Sequence, residues 1–193
     1  MRFYAETIIV LTCSAALPIA ARPAFPVAGN MMVKTFPITV AANGLVVAGP
    51  RGQAAQAARF GLARAAAIRI VSGGLGAPTK IGIYPECGQG HAIGYAKFRG
   101  GIELSFVGGK FVGWTLGYGG DQNFRMNNGV GIGTTAATLQ KLLPNVFIDP
   151  GNEEGGGIGP GFTSDNWPNG WLDGDKPTSK VTSMYAGETC IVE

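Results

Sequence analysis

Apolar residues fall at every second position through two stretches of this chain, Ile102, Leu104 and Phe106, then Val112, Trp114, Leu116 and Tyr118. A strand points successive side chains to opposite faces, so this period predicts half-buried β-strands. Gly108-Gly109 lies between the two runs and predicts a two-residue hairpin. Four strand segments follow one another: Lys80–Tyr84, Ala92–Phe98, Gly101–Val107 and Lys110–Tyr118. Upstream the pattern changes. From Gln53 to Val71, alanines with spaced Phe60, Leu62, Ile68 and Val71 predict a helix, interrupted at Gly61 and ended by Gly73-Gly74 and Pro78. Phe36 to Val47 predicts one strand and a turn at Asn43-Gly44. In the second half, a helix is expected from Thr134 to about Leu143, stopped by Pro144. A loop from Asp149 to Gly161 follows, then short strands near Trp171 and from Lys180 to Ala186.

These elements recur in order. Phe60-Gly61-Leu62-Ala63-Arg64-Ala65 opens the first helical stretch and Ile132-Gly133-Thr134-Thr135-Ala136-Ala137 opens the second, 72 positions on. Lys110-Phe111-Val112-Gly113-Trp114 has a counterpart in Lys180-Val181-Thr182-Ser183-Met184, 70 positions on. Two patterns returning at nearly one spacing predict a duplicated helix-then-strands unit. The expected fold is therefore α+β: two tandem pseudo-repeats, residues 44–120 and 121–193, each a helix packed on antiparallel strands, fused as one domain.

The amino terminus points to export. Arg2 precedes the apolar run Ile8-Ile9-Val10-Leu11 and the small-residue stretch Ala15 to Ala21, the order of a secretory signal peptide over residues 1–21. The apolar core is shorter than the roughly 20 residues that a membrane-spanning helix needs. Val10-Leu11-Thr12-Cys13 departs from a lipobox at Thr12, so Cys13 is expected to leave with the signal. An extended segment, 22–43, follows, with Pro23, Pro26 and Pro37. Removing Cys13 leaves Cys87 and Cys190, an even number in an oxidising compartment, and predicts a disulfide between them. Periplasmic or secreted location is the matching expectation.

Composition narrows the class. Charged residues make up 14% of the chain and apolar ones 46%, with a net charge of +3. Glycine (32) and proline (12) are abundant, and with that much apolar content they describe a folded, turn-rich chain rather than a disordered one. No Lys/Arg run of the kind that contacts phosphates is present, which argues against nucleic acid as a partner.

At Glu86-Cys87-Gly88, Phe111-Val112-Gly113-Trp114 and Ala186-Gly187-Glu188-Thr189-Cys190, the chain resembles small exported bacterial proteins of unassigned function. They share a Phe-Gly helix start, a Glu-Cys-Gly turn and a terminal Gly-x-Thr-Cys. The resemblance covers residues 44 to 190, and its motifs are structural rather than catalytic. In architecture the tandem plan is also similar to the β-lactamase-inhibitor protein and to BamE-like outer-membrane lipoprotein modules. That similarity implies helices packed on one face of an antiparallel sheet.

Candidate chemistry is thin. Cys87 and His91 stand four apart, a spacing open to a nucleophile and base, but no Asn or Asp is evident to orient the imidazole, and His91 is the only histidine. Gly129, Gly131 and Gly133 precede a helix without the spacing or lysine of a phosphate loop. Asp173-Gly174-Asp175 and the loop carrying Asp149, Glu153 and Glu154 offer oxygen ligands without calcium-loop register, since Pro177 breaks it. No metal or cofactor is expected. Trp167 and Trp171 flank a Pro-Asn-Gly turn and, with Tyr118, are the candidate binding residues, because Trp and Tyr dominate interface hot spots. Trp114, inside an alternating strand, is expected in the core. The function expected is non-catalytic binding of a protein or envelope component, with a periplasmic hydrolase using carboxylates or Cys87 and His91 as the alternative.

Overall fold

The computed structural model describes residues 38–49, 53–87, 90–117, 120–151 and 159–190. The signal segment, most of the extended segment that follows it, Tyr118 and the Glu153-Glu154 pair lie outside the described residues.

The described residues begin with a hairpin where one strand was expected: β1 (Ile38–Ala41) and β2 (Gly44–Val47) pair antiparallel across Ala42-Asn43. Strand β3 (Gln56–Arg59) adds to β2 and completes a three-stranded sheet. The sequence pattern had assigned β3 to a helix. Alanine's helical preference is worth only a few tenths of a kcal/mol per residue, and it loses here to a ladder that buries Ala58 completely. Gly44, at φ +141°, allows the approach, because a side chain there would run into the Ala58 carbonyl.

Helix α1 (Arg64–Leu75) starts past Gly61 and continues through Gly73-Gly74 rather than ending there. Ala67, Val71, Gly74 and Leu75 are its buried residues, at the i, i+4, i+7 spacing that makes one helical face. Its cap position, Ala63, has no side-chain acceptor to offer. The orphan N–H of Arg64 is satisfied instead by Gly109 O at 2.9 Å. Gly76, at φ +79°, ends the helix by donating its N–H to Ser72 O.

Four strands then form a meander: β4 (Lys80–Tyr84), β5 (Ile93–Lys97), β6 (Ile102–Val107) and β7 (Lys110–Leu116). The Gly108-Gly109 turn forms as expected, with φ of +56° and +75°, values that suit glycine at both central positions of a tight hairpin. Helix α2 (Ala136–Leu142) is capped by Thr135, whose hydroxyl accepts from Thr138 N. It leads to β8 (Phe147–Asp149), β9 (Gly161–Thr163), β10 (Asn169–Leu172) and β11 (Val181–Gly187). Strands β8 and β9, of three residues each, show no alternation in the sequence and were not expected. All eight strands join one antiparallel sheet in the order β4-β5-β6-β7-β11-β10-β9-β8. The fold is thus α+β, with two antiparallel sheets and two helices among the described residues.

Hydrogen bonds around the two helix starts coincide at the sequence spacings noted above. Gly61 N donates to Phe111 O, and Gly133 N donates to Val181 O, both at 2.8 Å. Phe111 N returns to Leu62 O as Val181 N returns to Thr134 O. Arg64 N reaches Gly109 O as Ala136 N reaches Ser179 O. Isolated bridges Ala63–Lys110 and Thr135–Lys180 complete the correspondence, and Gly61 and Gly133 share positive φ, at +89° and +83°.

The core lies between one face of the large sheet and the layer of helices and small sheet. Ile102, Leu104, Trp114, Leu116, Met184 and Phe162 project to it and are almost wholly buried. Trp114 ties the layers together: its ring is fully buried, as expected, and its Nε1 donates to Ala41 O at 2.9 Å. No helix among the described residues is long and apolar enough to cross a membrane.

Candidate functional site

Alternation places a second set of side chains on the opposite, outer face of the large sheet. Antiparallel pairs put Tyr95 beside Gly82 and Ser105, Lys97 beside Lys80 and Glu103, Thr115 between Glu103 and Tyr185, and Tyr185 beside Asn169. Paired residues point to the same side of a sheet, so tyrosines, lysines, hydroxyls and a carboxylate form a row across it.

One end of this row is a built cluster. The turn at Arg99–Gly101 sets Lys97 opposite Glu103, and Lys97 Nζ lies 3.1 Å from Glu103 Oε2. The Tyr84 hydroxyl donates to the same oxygen at 3.0 Å. Tyr84 and Tyr95 stack with ring centroids 4.3 Å apart, and the Lys97 ammonium sits 5.8 and 5.4 Å from their centres. Lys80 stands 6.0 Å from the Tyr95 ring, so two cations share one aromatic stack. These contacts border a cavity of about 440 Å³, lined by Thr79, Tyr84, Lys97, Glu103, Thr115 and Cys190. Its volume falls in the range of small-ligand and side-chain pockets.

The carboxyl-terminal tail closes one side of the cavity. After β11, Glu188 N donates to Val112 O at 3.0 Å, and Gly113 carries no side chain where the Glu188 carbonyl passes. Thr189 is buried. Cys190 then bonds to Cys87, just past β4, with Cα atoms 5.2 Å apart. The predicted disulfide is therefore present, within the distance a bridge requires. His91 Nε2 lies 2.5 Å from Glu188 Oε1 and fixes the tail a second time. Cys87 and His91 each serve the strap, and the sulfur that a cysteine nucleophile would need is tied up in the bridge.

Electrostatics follow from this packing. The Lys97 ammonium is pushed up to about 12 by the Tyr84 hydroxyl first and the Glu103 carboxylate second, against partial burial. Tyr84 is raised, chiefly because burial penalises the phenolate, and Tyr185 is raised for the same reason. Both kinds of shift favour the protonated group in the folded state. The contribution of each group is therefore complete below its unfolded value near 10 and is lost as pH rises through its raised folded value, about 12 for Lys97. Absorbance titration of tyrosinate should show a late-ionising component, and Tyr84→Phe should remove part of it. A titration unchanged by that substitution would contradict the cluster.

The residues singled out from sequence are dispersed. Trp171 is half-buried on the outer face of β10, its ring 6.3 Å from that of Tyr185. Trp167 packs, partly buried, against the hydrophobic core. Asp173 is a turn residue whose Oδ1 accepts from Lys180 N at 2.7 Å, and Asp149 Oδ1 accepts from Gly151 N at 2.8 Å. Among the described residues no group of three His, Cys, Asp or Glu side chains converges as a metal site would. The Tyr84–Lys97–Glu103 cluster was missed. The glycines Gly100-Gly101 between two strand segments were a signal that could have set Lys97 near Glu103, whereas the arrival of Tyr84 depends on register across a loop. No protein-family model, no curated protein and no solved structure matches this chain.

Proposed function

We propose that the protein is an exported, non-catalytic binding protein that engages a protein or other envelope component through the outer face of its large sheet. The observation that carries this reading is the outer row itself. The outer face presents Tyr84, Lys97, Thr115, Tyr185 and Trp171, with a cavity at one end bordered by an ion pair and a disulfide. Preorganised aromatic and cationic groups reduce the ordering cost of association. Against the hydrolase alternative, Glu103 is engaged by both Lys97 and Tyr84, and Cys87 is bridged. Export is supported by that disulfide, a bond that persists in oxidising compartments.

The scaffold, on this proposal, is two copies of one unit: helix then four strands, joined edge to edge. The strand order reads the same from either end when β4 to β7 are matched with β8 to β11. Pairing at the junction supports this, since Trp114–Ala186 and Leu116–Met184 exchange under the 70-residue shift while Thr115–Tyr185 maps onto itself. A pseudo-twofold axis would then pass beside Thr115. The outer face is in this sense a composite surface that neither unit has alone.

Mature protein carrying Trp171→Arg and Tyr185→Arg tests the binding reading. It should fold normally yet lose the partner that the unmodified protein retains from envelope extract. Turnover of a substrate abolished by Glu86→Ala or Glu103→Gln, without unfolding, would favour the hydrolase instead.

A further inference from the structure

The large sheet ends on β4, which pairs with β5 on one side and with no strand on the other among the described residues. An open strand edge presents unpaired backbone donors and acceptors and invites another strand. Its opposite number at the far edge, β8, is shorter, at three residues against five, and ends in Asp149 before Pro150. Strand β4 is likewise followed by a proline, Pro85, and carries Lys80, but its inner face leaves Ile81 and Ile83 52% and 65% exposed. Isoleucines on an edge strand left this open have an apolar surface with no cover in the described fold.

The residues themselves indicate what covers them. Lys80-Ile81-Gly82-Ile83-Tyr84 is close to a palindrome about Gly82. When two copies of such a strand pair antiparallel around a twofold axis at Gly82, Ile81 of each stands opposite Ile83 of the other. Lys80 then stands opposite Tyr84, a cation beside an aromatic ring, on the other face. The Ile81–Ile83 and Lys80–Tyr84 pairs are favourable, Gly82 meets Gly82 without side chains, and no pair sets like charges together. A twofold interface demands this kind of self-complementarity, because the same patch must serve both sides. We propose that β4 is a dimerisation edge, at which a second copy of this chain pairs antiparallel about Gly82 and extends the two large sheets into one.

The test uses the mature protein in sedimentation equilibrium over a concentration series, with Ile81→Lys, Ile83→Glu and the double variant. The unmodified protein should show twice the monomer mass at high concentration. Each single substitution should weaken association by at least tenfold. The double variant should recover it, because the twofold register places the Ile81→Lys side chain against Ile83→Glu of the other copy on both sides of the axis. Circular dichroism should be unchanged throughout, since both isoleucines are exposed. A monomer at all concentrations would overturn the proposal, as would single variants that associate as tightly as the unmodified protein. A double variant that stays monomeric would overturn the register about Gly82.

Discussion

Trp114→Ala is expected to lower the unfolding free energy by about 3–5 kcal/mol, the range for truncating a large buried aromatic. Trp114 is fully buried between Leu104 and Ala186, its neighbours across β6 and β11. Truncation leaves a cavity at the centre of the sheet, between β6 and β11. It also removes the indole donor to Ala41 O, leaving that carbonyl without its partner. Because this hydrogen bond links the small sheet to the large one, the variant should also loosen the β1–β2 hairpin. Amide exchange in residues 38–47 should accelerate more than the global change alone explains. A loss below about 1 kcal/mol would show that Trp114 is not the centre of the core.

Removing the disulfide, by Cys87→Ala with Cys190→Ala, is expected to cost about 3–5 kcal/mol. The bridge spans 103 residues, and in the chain-entropy model a loop of that size constrains the unfolded chain by nearly 5 kcal/mol. The local effect should be as distinct as the global one. Without the bridge, the tail from Glu188 to Cys190 is held by the Glu188–Val112 hydrogen bond and the His91–Glu188 contact. Its amides should exchange far faster, while those of β7 and β11 keep their protection. Denatured, unreduced mature protein should titrate no free thiol. Equal stability of the oxidised protein and the double variant in urea would contradict the structural role assigned to the bridge.

How much of this was legible beforehand depended on the length of each signal. Strands β6 and β7 were foreseen because alternation over five or more residues is hard to produce otherwise, and β4, β5 and β11 were placed as short strand-like segments. The Gly108-Gly109 hairpin was equally plain, and so was the Cys87–Cys190 bond once export was inferred. Gln56–Arg59 misled because alanines carry no periodicity of their own, so pairing with β2 decided their conformation. Strands β8 and β9 are too short for a pattern to form. The outer cluster was hidden for a different reason. Tyr84, Lys97 and Glu103 sit on three strands, and their convergence depends on how the β4–β5 loop sets the register. Trp167 and Trp171 were marked by residue type, which does not say which face an aromatic occupies. One ended against the core and the other on the outer face.

On the function proposed above, a partner binds the outer face of the large sheet. A photo-crosslinking amino acid placed at Thr115 or Trp171, on that face, and in a control at Lys141, on α2, tests it most directly in cells exporting the protein. Both outer-face positions should yield one adduct of the same discrete mass, and it should disappear with Tyr185→Arg. The Lys141 position should not yield it. Adducts forming equally from Lys141, or none forming from Thr115 and Trp171, would contradict the account.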